Sequence, residues 1–265
     1  MIYLNALKFQ IINLKCRMIA DKYNMHTIDA HGLSKSYSKK LVVDNISLIV
    51  RTGEIIGLLG PNGAGKTTTF YMIVGLLKPD KGSILLDGED IGYLPVYKRA
   101  IKGIGYLPQD ASIFRRLTVY ENIAAVFEIR GMDKRQIMSE TETLIEEFNL
   151  ESFSSQRGDA LSGGQRRRAE IARAVAIDPF FLLFDEPFAG IDPIAVSELK
   201  QTLMYLKNSK NIGILITDHN VRETLSITDR AYIINNGSIL DLGTPELIAG
   251  NVKVRDAYLG KEFKL

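Results

Sequence analysis

Apolar residues along this chain recur with two periods, one typical of strands and the other of helices. In the first hundred residues, short apolar runs with partial alternation dominate, and one helical stretch follows a glycine-rich loop. The predicted elements there are strands at 26–31, 41–50, 54–59 and 82–87, a polar turn at 38–40, a closing turn at Asp87-Gly88 and a helix at 66–77. The order strand, loop and helix over 54–77 marks the start of an α/β core.

Residues 113–178 follow the helical period instead. Thr118 and Glu121 form a capping-box pattern at the start of one helix, and Asp133 and Gln136 start a second that runs toward Asn149. The first helix places Val119, Ile123, Val126 and Phe127 on one face and stops at Gly131, and a third helix runs from just past Gly164 to the Asp178-Pro179 break. We interpret 113–178 as a helical subdomain inserted in the α/β core.

The rest of the chain returns to strands. The apolar runs 180–184 and 211–217 are typical of parallel strands that are covered on both faces. Between them, Asp192 and Pro193 are an N-cap and first-turn pair that opens a helix. Residues 231–243 predict a hairpin with Asn236-Gly237 at its turn, and no internal repeat is visible.

Composition limits the class of protein without identifying it. The 265 residues are 46% hydrophobic and 24% charged, which excludes collagenous, low-complexity and disordered chains. The net charge of +2 gives no global field toward nucleic acid or anionic lipid. Cys16 is the single cysteine and cannot form an internal disulfide or build a zinc site, so we expect a reducing cytosol. No apolar run reaches the ~18 residues of a spanning helix.

Residues 1–24 differ from everything that follows. They are rich in apolar residues, but Lys8, Lys15 and Arg17 interrupt them, no cleavage site follows, and the polar residues do not collect on one helical face. A signal peptide or an amphipathic anchor therefore fits poorly. We expect a disordered or untranslated leader before a start at Met18 or Met25, with the folded domain at 25–265.

The glycine-rich loop carries the first chemical signal. Residues 60–67 satisfy the phosphate-binding loop pattern between a predicted strand and a predicted helix, the context which that pattern requires. Its backbone amides and the helix N-terminus would cradle phosphates, Lys66 would reach the β- and γ-phosphates, and Thr67 would ligate Mg²⁺. The predicted ATP contacts here are Gly60, Pro61, Asn62, Gly63, Ala64, Gly65, Lys66, Thr67 and Thr68.

A second anion-binding pattern lies about a hundred residues later, at Leu161-Ser162-Gly163-Gly164-Gln165. Two glycines allow close backbone approach, Ser162 offers a hydroxyl, and a helix N-terminus follows. With this pentapeptide the chain resembles the ATP-binding-cassette (ABC) ATPases, whose signature it is. The resemblance implies the ABC ATPase fold, with a P-loop core, an antiparallel β subdomain and the helical insertion. It also implies a homodimer that sandwiches two ATP molecules, each between one loop and the partner's Ser162, Gly163, Gly164 and Gln165.

The acidic pair at the end of the run 181–186 completes the nucleotide chemistry. A carboxylate at the end of a buried parallel strand is well placed for Mg²⁺, which suits Asp185, and Glu186 would orient or deprotonate the attacking water. By resemblance to the same family, Gln109 is the loop glutamine near Mg²⁺ or water, and His219 is the histidine that contacts the γ-phosphate. The family also implies that Tyr37 stacks on adenine and that Asp192 belongs to an inter-subunit loop.

Three arginines, 166–168, follow the signature. We interpret them mainly as a solvated helix face, and counter-charge near the phosphates is the alternative. Further strings, among them GYLPQDASIFRRLTVYENI, FDEPFAGIDP and TDHNVRETL, resemble the cytoplasmic ATPases of lipopolysaccharide export systems. That resemblance implies a subunit on the cytoplasmic face of the inner membrane which drives two membrane subunits and has no span of its own. Residues 112–116 should line the groove for a coupling helix, with Phe114, Arg115 and Arg116 as contacts.

Two other functions stay open at this point. The ATPase of a branched-chain amino-acid importer shares the short chain and the core motifs. A non-transport ABC protein of translation or DNA repair is the alternative from another class, but such proteins carry two cassettes or a long coiled coil, whereas this chain has one cassette and a short helical insertion.

Overall fold

A computed structural model describes residues 24–260, 262, 263 and 265. Two sheets organise these residues. The four-stranded sheet has the strand order 40–51, 27–37, 81–86, 89–90. The six-stranded sheet has the order 238–243, 230–235, 55–59, 213–217, 181–185, 104–107. Residues 1–23, which make up all but the last residue of the predicted leader at 1–24 and include Cys16, lie outside the described residues, so the expectation of a disordered or untranslated leader stays a prediction.

The smaller sheet is antiparallel and lies near the start of the chain. Its strands are β1 (Thr27–Tyr37), β2 (Lys40–Arg51), β4 (Lys81–Leu86) and β5 (Glu89–Asp90). The prediction of a first strand at 26–31 was too short, because Gly32, at a φ of 58°, lies in an irregularity of the pairing and not at the strand's end. Ser38 and Lys39, at φ of 46° and 69°, make the two-residue turn to β2.

The larger sheet carries the core. Its strands are β3 (Ile55–Leu59), β6 (Ile104–Leu107), β7 (Phe181–Asp185), β8 (Gly213–Thr217), β9 (Arg230–Asn235) and β10 (Ser238–Gly243). All neighbours are parallel except β9 and β10, which form the predicted hairpin with Asn236 and Gly237 at its turn. The carboxyl ends of β3, β6, β7 and β8 therefore meet at one edge, where ligands bind in open α/β sheets.

The longer helices, in chain order, are α1 (Lys66–Val74), α2 (Val96–Ile101), α3 (Val119–Ile129), α4 (Lys134–Glu147), α5 (Gly163–Val175), α6 (Pro193–Lys210), α7 (Val221–Leu225) and α8 (Pro245–Gly250). The prediction that α1 reaches residue 77 was wrong. Gly75, at a φ of 93°, ends it, and the amides of residues 75–77 all donate to the Tyr71 carbonyl. The strands β5 and β6 and the helices α2, α7 and α8 were not predicted.

The helical insertion does not have a core of its own. Both predicted capping boxes, at Thr118 and Asp133, are present. Apolar side chains of α3, α4 and α5, such as Ile123 and Leu144, belong to the same buried cluster as Leu182 and Ile214 of the parallel sheet. The boundary at 113–178 stays a prediction, but the helices and the sheet are continuous in packing.

The expected fold class, a parallel α/β core with an antiparallel β subdomain and inserted helices, is confirmed. Within the part of the chain that the structure describes, no helix combines the length and apolar character needed to cross a membrane.

Candidate functional site

The loop 60–67 connects β3 to α1 and passes close to two other strands. A Cβ at Gly60, which has a φ of 148°, would lie 2.0 Å from the Ile234 carbonyl oxygen. A Cβ at Gly65, at a φ of 106°, would lie 2.8 Å from the Val42 carbonyl oxygen. Both positions therefore require glycine, and this close approach fixes the loop at the carboxyl edge of the sheet.

Lys66 is the first residue of α1 and is only 5% exposed. Its ammonium group donates to the carbonyl oxygens of Gly60 at 2.7 Å and Pro61 at 3.0 Å. Burial lowers the pKa of Lys66, while the charge of Glu186 acts in the opposite direction. The cation is thus held under the loop that was predicted to cradle phosphates.

An open pocket lies over this loop. It is lined by Val42, Asn62, Gly63, Ala64, Gly65, Lys66, Thr67, Thr68 and His219. The structure therefore brings His219 to the loop predicted to bind ATP, although the two are far apart in the sequence. Thr67 is exposed in this pocket, so its hydroxyl is accessible for a ligand.

Asp185 ends β7, opposite Thr217 of β8, and is 5% exposed. Burial raises the pKa of this carboxyl group, and a hydrogen bond from the Tyr71 hydroxyl opposes the rise. Burial and the charge of Asp185 raise the pKa of Tyr71 and of neighbouring Tyr106 as well. A buried carboxylate of this kind gains from a nearby cation.

Glu186 follows Asp185 and is the centre of three contacts. Its Oε2 accepts a hydrogen bond from Nε2 of Gln109 at 2.9 Å, and its Oε1 lies 2.8 Å from Nε2 of His219. Its backbone has a φ of 45°, which is uncommon for a residue other than glycine, and its N–H donates to the Thr217 carbonyl oxygen at 2.7 Å. Gln109 and His219, predicted with Glu186 as the catalytic residues, therefore both contact Glu186.

The signature residues lie elsewhere on the surface. Ser162 is the N-cap of α5. Its hydroxyl accepts the Gln165 N–H, and the Gln165 side chain accepts the Ser162 N–H, which is a capping box that was not predicted. Ser162 and Gly163 are exposed. Neither residue lines the pocket over the loop 60–67. Within one chain, the two predicted anion sites therefore remain separate.

Two predicted ATP contacts also lie outside that pocket. Tyr37 ends β1 and is 47% exposed. Asp192 is exposed and accepts the N–H groups of Ile194 and Ala195, so it is the predicted N-cap of α6. The adenine contact of Tyr37 and the inter-subunit role of Asp192 stay predictions.

The segment predicted to meet a membrane subunit is partly buried. Phe114 is 55% exposed, and Arg115 and Arg116 are exposed. Ile113, within the predicted groove-lining segment, is 5% exposed and packs in the core, so the assignment of all of 112–116 to the groove was wrong for this residue. The guanidinium of Arg173 lies 5.2 Å from the centroid of the Phe114 ring, which holds the ring at the surface.

The interpretation of residues 166–168 as a solvated helix face was wrong for Arg167. Arg167 is 9% exposed, and its Nη1 donates to the Pro108 carbonyl oxygen at 3.1 Å. Its guanidinium also lies 5.7 Å from the centroid of the Phe184 ring. α5 packs this face against the sheet, so the arginine joins the helix to the loop that contains Gln109.

Three residues of the site were not found from sequence. Tyr71 bonds Asp185, Asp218 bonds the loop after β7, and Glu170 accepts the Ser112 and Ile113 N–H groups at 2.7 and 3.2 Å. Asp218 directly precedes His219 in the sequence, and this position could have identified it as a candidate site residue. No local pattern marks Tyr71 or Glu170, whose partners are distant in sequence.

The geometry of the site defines the class of protein to which the chain belongs. A strand, a glycine-rich loop and a helix, with an acidic pair ending a neighbouring parallel strand, are the parts of a P-loop nucleotide-binding protein. The sequence profile of the ABC transporter family matches residues 43–189. The chain belongs to the ATP-binding subunits of this family.

Similar proteins span most of the chain. The lipopolysaccharide export system ATP-binding protein LptB of Haemophilus influenzae is 56% identical over 242 residues, which are 91% of this chain and 100% of that protein. LptB of Escherichia coli K12 is 52% identical over the same shares. A probable ABC transporter ATP-binding protein of Azorhizobium caulinodans is 55% identical over 90% of this chain and 85% of its own.

Solved structures agree with this family. The ADP conformation of MJ1267, an ATP-binding cassette of an ABC transporter, has a TM-score of 0.79 and 26% identity and covers 89% of this chain and 99% of its own. The protein cbiO1 of Clostridium perfringens, part of the ABC transporter complex cbiONQ, has a TM-score of 0.77 and 28% identity, with 86% and 93% covered.

Proposed function

We propose that this chain is the ATPase subunit of a lipopolysaccharide exporter, and that it hydrolyses ATP as a homodimer on the cytoplasmic face of the inner membrane. The observation that carries hydrolysis is the position of Glu186, in contact with both Gln109 and His219. The export assignment is supported by relatives named as lipopolysaccharide export ATPases, which match this chain over their full length.

ATP and Mg²⁺ fit the residues present. The ammonium group of Lys66 is bound to the loop carbonyl of Gly60, and the hydroxyl of Thr67 is accessible in the pocket. Asp185 offers one buried carboxylate, and Thr67 offers an exposed hydroxyl. These donors suit Mg²⁺, which is commonly bound through one or two carboxylates and substrate phosphates. Thr67, Asp185 and Gln109 would hold the ion, whose charge would stabilise the phosphate oxygens.

The chain's own residues supply the remaining steps. Lys66 binds the phosphates, Glu186 orients the attacking water and accepts its proton, and His219 contacts the terminal phosphate from its place in the pocket lining. Gln109 shares the Glu186 carboxylate and connects it to the loop after β6. A general base must reach the water directly. The contacts with Gln109 and His219 hold the Glu186 carboxylate in one orientation, next to two residues that are also expected at the ATP site.

The homodimer is supported by the separation of the two anion sites. Ser162 and Gly163 are exposed and do not line the pocket of their own chain. A two-fold dimer would place the signature of each subunit, with Gln165 and Asp192, over the phosphates held by the other. The single dimer interface would then complete two equivalent ATP sites.

Contact with two membrane subunits is supported by the exposed residues Phe114, Arg115 and Arg116. The loop that begins at Gln109 reaches this segment, so closure around ATP would move both. A membrane subunit's coupling helix seated on Phe114 would receive the motion.

Purification of the tagged chain from membranes tests the export assignment. We expect two membrane subunits to co-purify, and we expect depletion of the chain to leave lipopolysaccharide in the inner membrane. Co-purification with an amino-acid permease, or normal lipopolysaccharide export after depletion, would contradict the proposal and favour the importer.

A further inference from the structure

Asp218 lies next to His219 in the loop after β8 and contacts the loop that carries Glu186, and it has no role in the steps above. It directly follows β8 and is 2% exposed. Its Oδ2 accepts the N–H of Phe188 at 2.8 Å, and its Oδ1 accepts the N–H of Asn220 at 2.7 Å. One carboxylate therefore joins the loop after β7 to the loop after β8.

Such a carboxylate is costly to bury. Desolvation raises the pKa of Asp218, the nearby Glu186 adds to the rise, and the two backbone N–H groups oppose it. Each oxygen has a different loop as its donor, so a neutral side chain with a single acceptor could not make both bonds. The requirement for two acceptors at fixed positions indicates a geometric role.

The geometry concerns Glu186 directly. Phe188 is two residues beyond Glu186, whose backbone is in the uncommon conformation with a φ of 45°. The turn is closed by the Glu186 N–H bond to Thr217 and by the Ala189 N–H bond to the Glu186 carbonyl oxygen at 3.2 Å. The bond from Phe188 to Asp218 is the side-chain contact that ties this turn to the residue next to His219.

We propose that Asp218 is a positioning residue for ATP hydrolysis, which fixes the turn of Glu186 relative to His219. The proposal rests on the function proposed above. Asp218 does not line the pocket over the loop 60–67, and the ammonium group of Lys66 donates to the loop carbonyls of Gly60 and Pro61. Its loss should therefore affect the hydrolytic step and leave nucleotide binding nearly intact.

The test is Asp218→Asn in the full chain. The amide offers one acceptor, and its NH₂ group would face the other backbone N–H. We expect kcat for ATP hydrolysis to fall at least 10-fold, with the Kd of a non-hydrolysable ATP analogue changed less than twofold. Hydrogen exchange of residues 186–190 should rise, whereas exchange of residues 60–67 should not. In a Glu186→Gln background, Asp218→Asn should cause no further loss, because both changes affect one step.

Asp229→Asn is the matched control. Asp229 also accepts a backbone N–H, from Ile55 at 2.8 Å, but at the amino end of β3 and away from Glu186. We expect it to lower thermal stability while kcat stays within twofold. Should Asp218→Asn not fold, Asp218→Glu keeps two acceptors at a displaced position and should show the same split between kcat and Kd.

Three outcomes would overturn the inference: wild-type kcat in the Asp218 variants, an equal loss of kcat and of analogue binding, or a loss that multiplies with Glu186→Gln. The proposed function is judged separately by Glu186→Gln itself. Wild-type turnover in that variant contradicts the hydrolytic assignment, whereas its inactivity beside a fully active Asp218→Asn contradicts the positioning role alone.

Discussion

The carboxylate of Glu186 lies 2.8 Å from Nε2 of His219. The two residues follow neighbouring parallel strands, β7 and β8, whose carboxyl ends are in register at Asp185 and Thr217. Because the sheet fixes the strands, the side chains of the two loops meet without a long connection. Because of this contact, a change in the position of His219, in the loop after β8, would affect any step in which Glu186 takes part.

The first prediction concerns Glu186→Gln. The amide keeps the size of the side chain but cannot accept a proton, so turnover should fall by about 100-fold or more, the usual range for loss of a general base. ATP binding should persist, because Lys66 and the loop are unchanged. Steady-state ATPase assays and equilibrium nucleotide binding measure the two quantities.

Glu89→Gln is the control for that experiment, since Glu89 is an exposed carboxylate paired with Lys102. It should leave turnover within twofold. If Glu186→Gln loses nucleotide binding as well, the carboxylate is structural rather than catalytic.

The second prediction tests composite sites in a dimer. Lys66→Ala removes the cation that is expected to bind the phosphates, and Ser162→Arg blocks the N-terminus of α5. Each variant alone should therefore be inactive. A mixed dimer has one site with an intact loop and an intact signature. An equal mixture that exchanges freely should recover about a quarter of wild-type ATPase activity, because half the dimers are mixed and each has one of two sites.

Activity of the mixture is measured after subunit exchange, against each variant alone at the same concentration. A mixture no more active than its components would mean that both anion sites act within one chain, which the separation of Ser162 from the pocket opposes.

The third prediction concerns alkaline stability. The Tyr205 hydroxyl donates to Oε1 of Glu147 at 2.6 Å, and burial, with Glu147, raises the pKa of Tyr205 from 10.0 to about 12. Because the folded pKa exceeds the unfolded one, this contribution to the free energy of unfolding is complete below about pH 10 and is lost as pH rises to about 12.

Tyr205→Phe should lower the free energy of unfolding by about 1 kcal/mol at pH 8 and make it less dependent on pH above 10. Denaturant titrations at pH 8 to 11 measure this. Tyr97→Phe, at a site with 63% exposure, is the control and should change neither quantity. A wild-type protein and a Tyr205→Phe variant with parallel pH dependence would show that the Glu147 contact does not form in solution.

Most of the fold could be predicted because its signals are local. The capping boxes at Thr118 and Asp133, the Asp192-Pro193 helix start and the Asn236-Gly237 turn each lie within a few residues, and the structure confirms all of them. The end of α1 was misplaced, because Leu76 and Leu77 continue the apolar pattern beyond Gly75.

The residues of the candidate site also differ in whether a local sequence signal marks them. The residues in motifs, such as Lys66 and Glu186, could be predicted because a few adjacent residues are enough to recognise each motif. Arg167 could not, because its burial depends on Phe184 and Pro108, which the fold brings to α5 from other parts of the chain. Tertiary packing, rather than the run of three arginines, therefore determines whether the charge of Arg167 is buried or exposed.

The last prediction concerns the surface around Phe114. The N–H and carbonyl oxygen of this residue bond the buried Asn122 side chain, and Arg173 lies over its ring. The backbone is therefore fixed by the helical insertion, while 55% of the residue stays exposed. An aromatic ring held in this way beside Arg115 suits the anchor of a small interface.

Phe114→Ala or Arg115→Ala should leave the purified ATPase folded and active but weaken its association with membrane subunits. Truncation of an anchor costs about 2 kcal/mol or more, or roughly 30-fold in affinity. Ile129→Ala, which truncates another exposed apolar residue at the end of α3, is the control. If the Phe114 and Arg115 variants co-purify with membrane subunits as wild type does, or if they unfold, the segment is not the docking site, and the coupling part of the proposed function fails.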